Sequence, residues 1–168
     1  KHVLITQSDD YMGPAISELF SNEAALVTAR PGVVPIGQGF TDYVADLADI
    51  DIVIANLAYA PSSSPAADIQ DVVWMAMFDT MVHPLMHLVR HFAPLMATRG
   101  HGKIVAITSA APLRGISGSA AYCAARGAQN AFIRATGIEF AASNVQINAI
   151  AQNYVSNPAY FPDDLVAT

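Results

Sequence analysis

The sequence predicts an α/β domain built on a mostly parallel sheet. Short apolar runs alternate with longer segments of helical period, the pattern of successive βαβ units. A composition of 53% hydrophobic and 13% charged residues suits strands buried on both faces. With 168 residues and no linker, repeat or low-complexity tract, the chain is read as one domain over 1–168.

Strand-like runs are expected at 2–6, 25–28, 51–56, 103–109 and 146–151, each short and apolar. Helical periodicity covers about 12–21, 69–98 and 119–142. Pro84 and Pro94 in the longest of these predict a kink or an early end, because proline lacks the amide that a helix interior uses. Between the second and third strands the chain is broken by Pro31, Gly32, Pro35 and Gly37, and a strand stub at 33–36 is the most it predicts. The Ser/Pro-rich stretch 62–65 follows a strand, where ligand-facing loops belong.

Composition narrows the function classes. A net charge of −6 without clustered Lys and Arg argues against a nucleic-acid partner. The single cysteine, Cys123, allows no internal disulfide and gives no metal-ligand spacing; it reads as a packing residue in a reducing, cytoplasmic protein. No run of 18 apolar residues suggests a membrane span, and no secretory signal precedes the first strand, so a soluble protein is expected. The absence of an initiator Met and of a helix after the last strand predict residues missing before Lys1 and a fold apparently incomplete at the C-terminus.

The most informative residues are Tyr122 and Arg126. Four positions apart on a helix they share a face, so a permanent cation can sit beside a phenol and favour its phenolate form, which makes the pair a candidate proton acceptor. Ser109, thirteen residues earlier, ends an apolar strand and points a hydroxyl into the usual α/β ligand crevice. Taken alone, each is more ordinary: a surface or packing pair, and a satisfied strand-end hydroxyl.

The order strand, helix, Ser109, Tyr122-x-x-x-Arg126, then Ile147-Asn148-Ala149-Ile150 resembles the short-chain dehydrogenase/reductase superfamily over nearly the whole chain. That resemblance implies a Rossmann-like three-layer α/β/α fold and, in the superfamily at large, a nicotinamide dinucleotide with a Ser, Tyr and Lys site. Three departures concern the cofactor. The turn Thr6-Gln7-Ser8-Asp9-Asp10-Tyr11-Met12-Gly13 replaces two of the glycines that let a backbone approach a pyrophosphate, and adds two carboxylates. Arg126 stands where the lysine would be, able to stabilise a phenolate but not to relay a proton. Gln152-Asn153 stands where Pro-Gly usually follows the last strand.

Together these departures resemble the halohydrin (haloalcohol) dehalogenases, which share the fold without the cofactor. The resemblance implies a catalytic triad of Ser109, Tyr122 and Arg126. It implies a halide site formed by Tyr11, Gln152, Asn153, Tyr154 and Val155, and substrate-pocket walls at Leu57, Tyr59, Pro112 and Leu113. The Asn157-to-Pro162 run also resembles the segment that follows the halide loop. The implied reaction converts a vicinal haloalcohol to an epoxide, a halide and a proton. In reverse, small anions such as azide, cyanide or nitrite open the epoxide. No cofactor and no metal are implied, and self-association as a homodimer or homotetramer is expected. His83, His87 and His91 have the spacing of a helical metal face, but no glutamate lies between them and the family is metal-free. Two other readings remain: an NAD(P)-dependent reductase with a degenerate fingerprint, and a non-catalytic descendant that only binds.

Overall fold

The computed structural model describes residues 1–23, 25–60 and 62–154. Five strands form one sheet: β1 (His2–Thr6), β2 (Leu26–Arg30), β3 (Ile52–Asn56), β4 (Gly102–Ser109) and β5 (Val145–Gln152). Their order across the sheet is β2-β1-β3-β4-β5, and every pairing is parallel. The order reverses at β1, whose neighbours are β2 and β3, so the crevice beyond the carboxyl ends of β1 and β3 is the place where α/β sheets bind ligands. Helix α1 (Gly13–Asn22) connects β1 to β2, and α2 (Gln38–Val44) precedes β3. Between β3 and β4 run α3 (Asp71–Met77), a π turn (Phe78–Val82) and α4 (His83–Arg99). Between β4 and β5 lie α5 (Ala111–Arg114) and α6 (Ala120–Phe140).

Side-chain alternation along the strands sorts the core into two layers, which makes the Rossmann-like α/β/α sandwich that the sequence predicts. On one face Leu4, Val53, Ala55, Ile104, Ala106, Val145 and Ile147 pack against α2, α4 and α6 through Phe40, Leu85, Leu88, Phe92 and Ile133. On the other, Val3, Ile5, Ile54 and Ile107 pack with Tyr11 and with Ile16 and Phe20 of α1. The continuous helix Asp71–Arg99 is long and apolar enough to cross a membrane. Met81, Leu85, Leu88 and Met96 on it are nevertheless 0% exposed within this chain's own core, so its apolar side covers other elements of the same fold.

Three expectations are corrected. The long helix is not interrupted at its prolines. Before Pro84 it widens into the π turn, where the amide of His83 reaches back to the carbonyl of Phe78, so the helix accommodates the missing donor instead of ending. Pro94 is exposed, and Thr98 donates its hydroxyl to the Pro94 carbonyl at 3.0 Å. No strand forms at 33–36; Val34 is buried in the main core without pairing, and the same stretch leads into the short helix α2 that proline and glycine breaks concealed. Strand β2 begins one residue later than expected and runs on to Arg30.

Helix α6 lies close against β5, and Gly137 makes that approach possible: a Cβ there would sit 2.7 Å from the carbonyl oxygen of Ile147. Alanine in a helix interior normally favours stability by about 1 kcal/mol over glycine. Here the collision is with backbone, so Gly137→Ala is expected to lower unfolding stability by about 1–3 kcal/mol, measured by urea denaturation.

Candidate active site

Tyr122 and Arg126 meet as their spacing predicts. Nε of Arg126 donates to the Tyr122 hydroxyl at 3.2 Å, and the guanidinium carbon lies 5.3 Å from the centre of the Tyr122 ring. The burial of the arginine is what the sequence did not reveal. Arg126 is 1% exposed, and its Nη1 reaches the carbonyls of Leu57 at 3.2 Å and Ile107 at 2.9 Å, together with Oε1 of Gln129 at 2.9 Å. Parallel pairing sets Asn56, the last residue of β3, beside Ile107 of β4, so the Ile107 carbonyl and that of Leu57, the residue after β3, both reach one cation. No carboxylate forms an ion pair with Arg126 among the described residues.

Ser109 ends β4 at 5% exposure. Its Oγ accepts from the amide of Ala111 at 3.1 Å, which leaves its own proton to donate, and its carbonyl is held by Asn130 at 3.1 Å. Gln152 pairs with Ser109 in register across the β4–β5 ladder, so both side chains rise from the same face of the sheet. Both polar atoms of the Gln152 amide are buried without a hydrogen-bond partner among the described residues. Buried amides are normally satisfied, so this one is a candidate ligand contact.

The turn after β1 is built around side chains. Gln7 and Tyr11 both take positive φ, 41° and 54°. Gln7 is buried and clamps the backbone of Ala58 from both ends: Nε2 donates to the Ala58 carbonyl at 3.2 Å, and the Ala58 amide donates to Oε1 at 2.5 Å. Asn56 donates to the carbonyls of Gln7 and Asp10, both at 2.9 Å. Four of the turn's amides are taken within the fold: Ser8 by the Arg30 carbonyl, Asp10 by Gln7, Tyr11 by the Asp10 carboxylate, and Gly13 by Asp10. A dinucleotide pyrophosphate would need open amides and an uncrowded cradle here. The residues present do not fit that group.

Tyr11 is buried, and its hydroxyl is close enough to Tyr122 and Arg126 for both to act on it. Burial first, and then Tyr122, push its ionisation up to about 12, with Arg126 partly opposing. Tyr11 therefore remains a neutral phenol at physiological pH. Tyr11, Tyr122 and Arg126 thus act on one another, while Ser109 stands with Gln152 at the end of β4, two residues beyond the Ile107 carbonyl that Arg126 reaches.

The expected pocket walls are less uniform. Tyr59 packs in one cluster with Tyr122, Met77 and Met81. Pro112 lies over Gly127 on α6. Leu57 is not a wall: its side chain is 1% exposed in the main core, and it gives the site its carbonyl instead. Leu113 is 72% exposed on a groove of about 750 Å³ between α6 and β5, which Tyr122 does not line. Asn153 accepts from Arg114 at 2.9 Å, and Tyr154 is 45% exposed. Val155 and the run 157–162 lie outside the described residues. The three α4 histidines turn to separate partners: His83 to Asp79, His87 to Arg90 and the ring of Phe40, and His91 to Phe40 and Phe92.

The family model for short chain dehydrogenase matches residues 34–160. Nodulation protein G of Azospirillum brasilense is 27% identical over 92% of this chain and 74% of its own length. Cis-4-hydroxycyclohexanecarboxylate dehydrogenase of Sinomonas cyclohexanicum is 26% identical over 74% of this chain, which spans about half, 51%, of that relative. Among solved structures, one described as a dehalogenation enzyme is 26% identical with a TM-score of 0.84, covering 99% of this chain and 78% of that one. A halohydrin dehalogenase bound to ethyl (2S)-oxiran-2-ylacetate has a TM-score of 0.85 at 19% identity, covering 100% and 77% of the two chains, a likeness of fold.

The Tyr11 phenol couples the site to stability. Because folding raises its ionisation above the ordinary 10.0, its contribution is complete below pH 10 and is lost as pH climbs toward about 12. Tyr43, also raised by burial, adds to the same alkaline loss. Thermal melts between pH 8 and 12 are expected to show falling stability above pH 10, with a flatter decline in Tyr11→Phe.

Proposed function

The chain belongs to the short chain dehydrogenase family, and we propose that it works there without a nicotinamide, as a halohydrin dehalogenase. The observation that carries this reading is the turn after β1, where buried Gln7 and Tyr11 occupy the cradle and four amides are bonded within the fold, together with the Tyr122–Arg126 pair. The 26% identical dehalogenation enzyme supports the same assignment.

In this reading a vicinal haloalcohol binds with its hydroxyl between Ser109, which donates, and Tyr122, which accepts its proton. The substrate oxygen then forms a bond to the neighbouring carbon as the carbon–halogen bond breaks, and the electron pair leaves with the halide. Nucleophile and leaving group sit on adjacent carbons of one molecule, so binding has only to select the in-line conformer. Arg126 stabilises the Tyr122 phenolate that takes the substrate proton, and in a dry site a cation at contact distance does so strongly; the charge then passes through the substrate oxygen to the departing halide. The departing halide needs donors more than a full cation, which would slow its release. The neutral Tyr11 phenol, the Gln152 amide and the backbone near Asn153 and Tyr154 suit that role.

A second reading, a nicotinamide-dependent reductase, draws on the dehydrogenase relative. It requires a pyrophosphate at a turn whose cradle holds the Gln7 and Tyr11 side chains and four of whose amides are already bonded, and NADPH binding by fluorescence or melting shift separates the two. We expect no such shift, and we expect halide and proton release from a simple haloalcohol. Tyr122→Phe should be inactive and Arg126→Lys should lose most of the rate; appreciable dehalogenation by the Phe variant would remove Tyr122 as the base.

The Gln152 amide gives a separate test. Replacing it with Met removes two buried unsatisfied atoms, a penalty of about 1–3 kcal/mol, so Gln152→Met should melt higher than the parent. The same change should weaken halide binding, read as a larger product-inhibition constant for chloride or bromide.

A further inference from the structure

We infer that Gln129 is the positioning residue of the Tyr122–Arg126 pair: a buried neutral amide that fixes the guanidinium against the phenol without supplying a charge that would cancel it. The inference rests on reading Tyr122 as the proton acceptor. Gln129 is 0% exposed and lies three residues after Arg126 on α6. Its Oε1 accepts from Arg126 at 2.9 Å, while its Nε2 donates to the carbonyl of Met81 at 2.7 Å. A guanidinium only donates and a carbonyl only accepts, so the amide fits one way round and bridges the two. A glutamate would satisfy the arginine but face the Met81 carbonyl oxygen with another oxygen, and an aliphatic residue would satisfy neither.

The Met81 carbonyl belongs to the π turn Phe78–Val82, where the widened helix departs from the regular pattern of α bonds. The bridge therefore ties the guanidinium to three places at once: the ends of β3 and β4 through Leu57 and Ile107, and the π turn through Gln129. All of these acceptors are neutral. A buried arginine is ordinarily paired with a carboxylate, and such a partner would withdraw from Tyr122 the field that the reading requires. The amide supplies the geometry of an ion pair and leaves the charge intact.

The charged and titratable groups of the surrounding elements leave that field in place. Tyr122 and Tyr11 are the groups that act electrostatically with Arg126. On the π turn and α4, Asp79 and His83 pair with each other, both partly exposed. On α5, Arg114 is engaged with Asn153. In the turn after β1, the Asp10 carboxylate takes the Tyr11 amide and the Asp9 carboxylate takes the Gly32 amide. Asp71 opens α3, and Arg134 and Glu139 lie two and more turns further along α6. Neither β4 nor β5 carries an acidic residue; their one charged side chain, Lys103, binds Gln146 at the opposite end of the sheet.

The test is a tyrosinate absorbance titration of the full chain, with Tyr122→Phe subtracted to isolate this phenol, run on the parent, Gln129→Glu and Gln129→Met. At alkaline pH a glutamate beside a buried guanidinium is ionised. Gln129→Glu is expected to move the titration up by about 1 unit, and to lower kcat at pH 7–8 at least tenfold with little change in KM. Part of that rate should return as pH rises. Gln129→Met, which loosens the guanidinium without adding charge, should lower kcat while moving the titration less. A folded Glu variant that titrates as the parent does, or Glu and Met variants that shift equally, overturns the inference. Should the Glu variant not fold, a Met variant with parental titration and parental kcat overturns it. A shift in titration from a parent that releases no halide would sink the dehalogenase reading and leave this one standing.

Discussion

A positive charge buried without a negative partner among the described residues organises this molecule. Removing a guanidinium from water costs several kcal/mol even after relaxation, and Arg126 recovers that cost only from dipoles: two strand-end carbonyls, an amide and a phenol oxygen. The dipoles come from the residue that follows β3, from β4 and, twice, from α6, whose Gln129 is itself tied to the π turn, so these elements must all be in place for the cation to be tolerated. The parallel sheet makes the arrangement available, because neighbouring parallel strands finish side by side and present their last carbonyls in the same direction. Fold and site are in this sense one constraint seen from two ends.

The turn after β1 expresses the same economy of polar groups. It is more polar than a glycine turn, yet nearly every donor in it is matched locally, with Asn56, Gln7 and Asp10 each serving two backbone groups or fixing the strained positions between them. Gly13 remains where a Cβ would strike the Gln7 carbonyl at 2.3 Å. The glycine required by helix–strand approach has persisted, while the positions that a phosphate would have approached carry side chains. The turn is thereby a structural joint between β1 and the loop after β3.

Much of this was legible in the amino-acid order. Strand-forming runs such as Val3-Leu4-Ile5 and Ile104 to Ile107 have unambiguous period and boundaries, and β1 was placed without error. Tyr122 and Arg126 could be paired because i and i+4 share a helix face whatever surrounds them. What escaped were contacts that depend on tertiary geometry. Nothing in the local pattern distinguishes Gln129 from a solvated helix glutamine, and its bridge joins residues 48 positions apart. The role of Leu57 lies in its carbonyl, to which side-chain chemistry gives no clue. The helix α2 was hidden by flanking Pro35 and Gly37, and the π turn arises from a conflict between Pro84 and a long apolar stripe that sequence rules resolve as a break.

The Gln7 clamp makes the closed turn costly to open. Restoring glycine at that position alone would leave the buried amide and carbonyl of Ala58 without partners, and a change at Tyr11 alone would empty a packed site beneath the sheet crest. Opening the turn at either position therefore costs hydrogen bonds or packing, so its closed form is maintained by the stability of the fold itself.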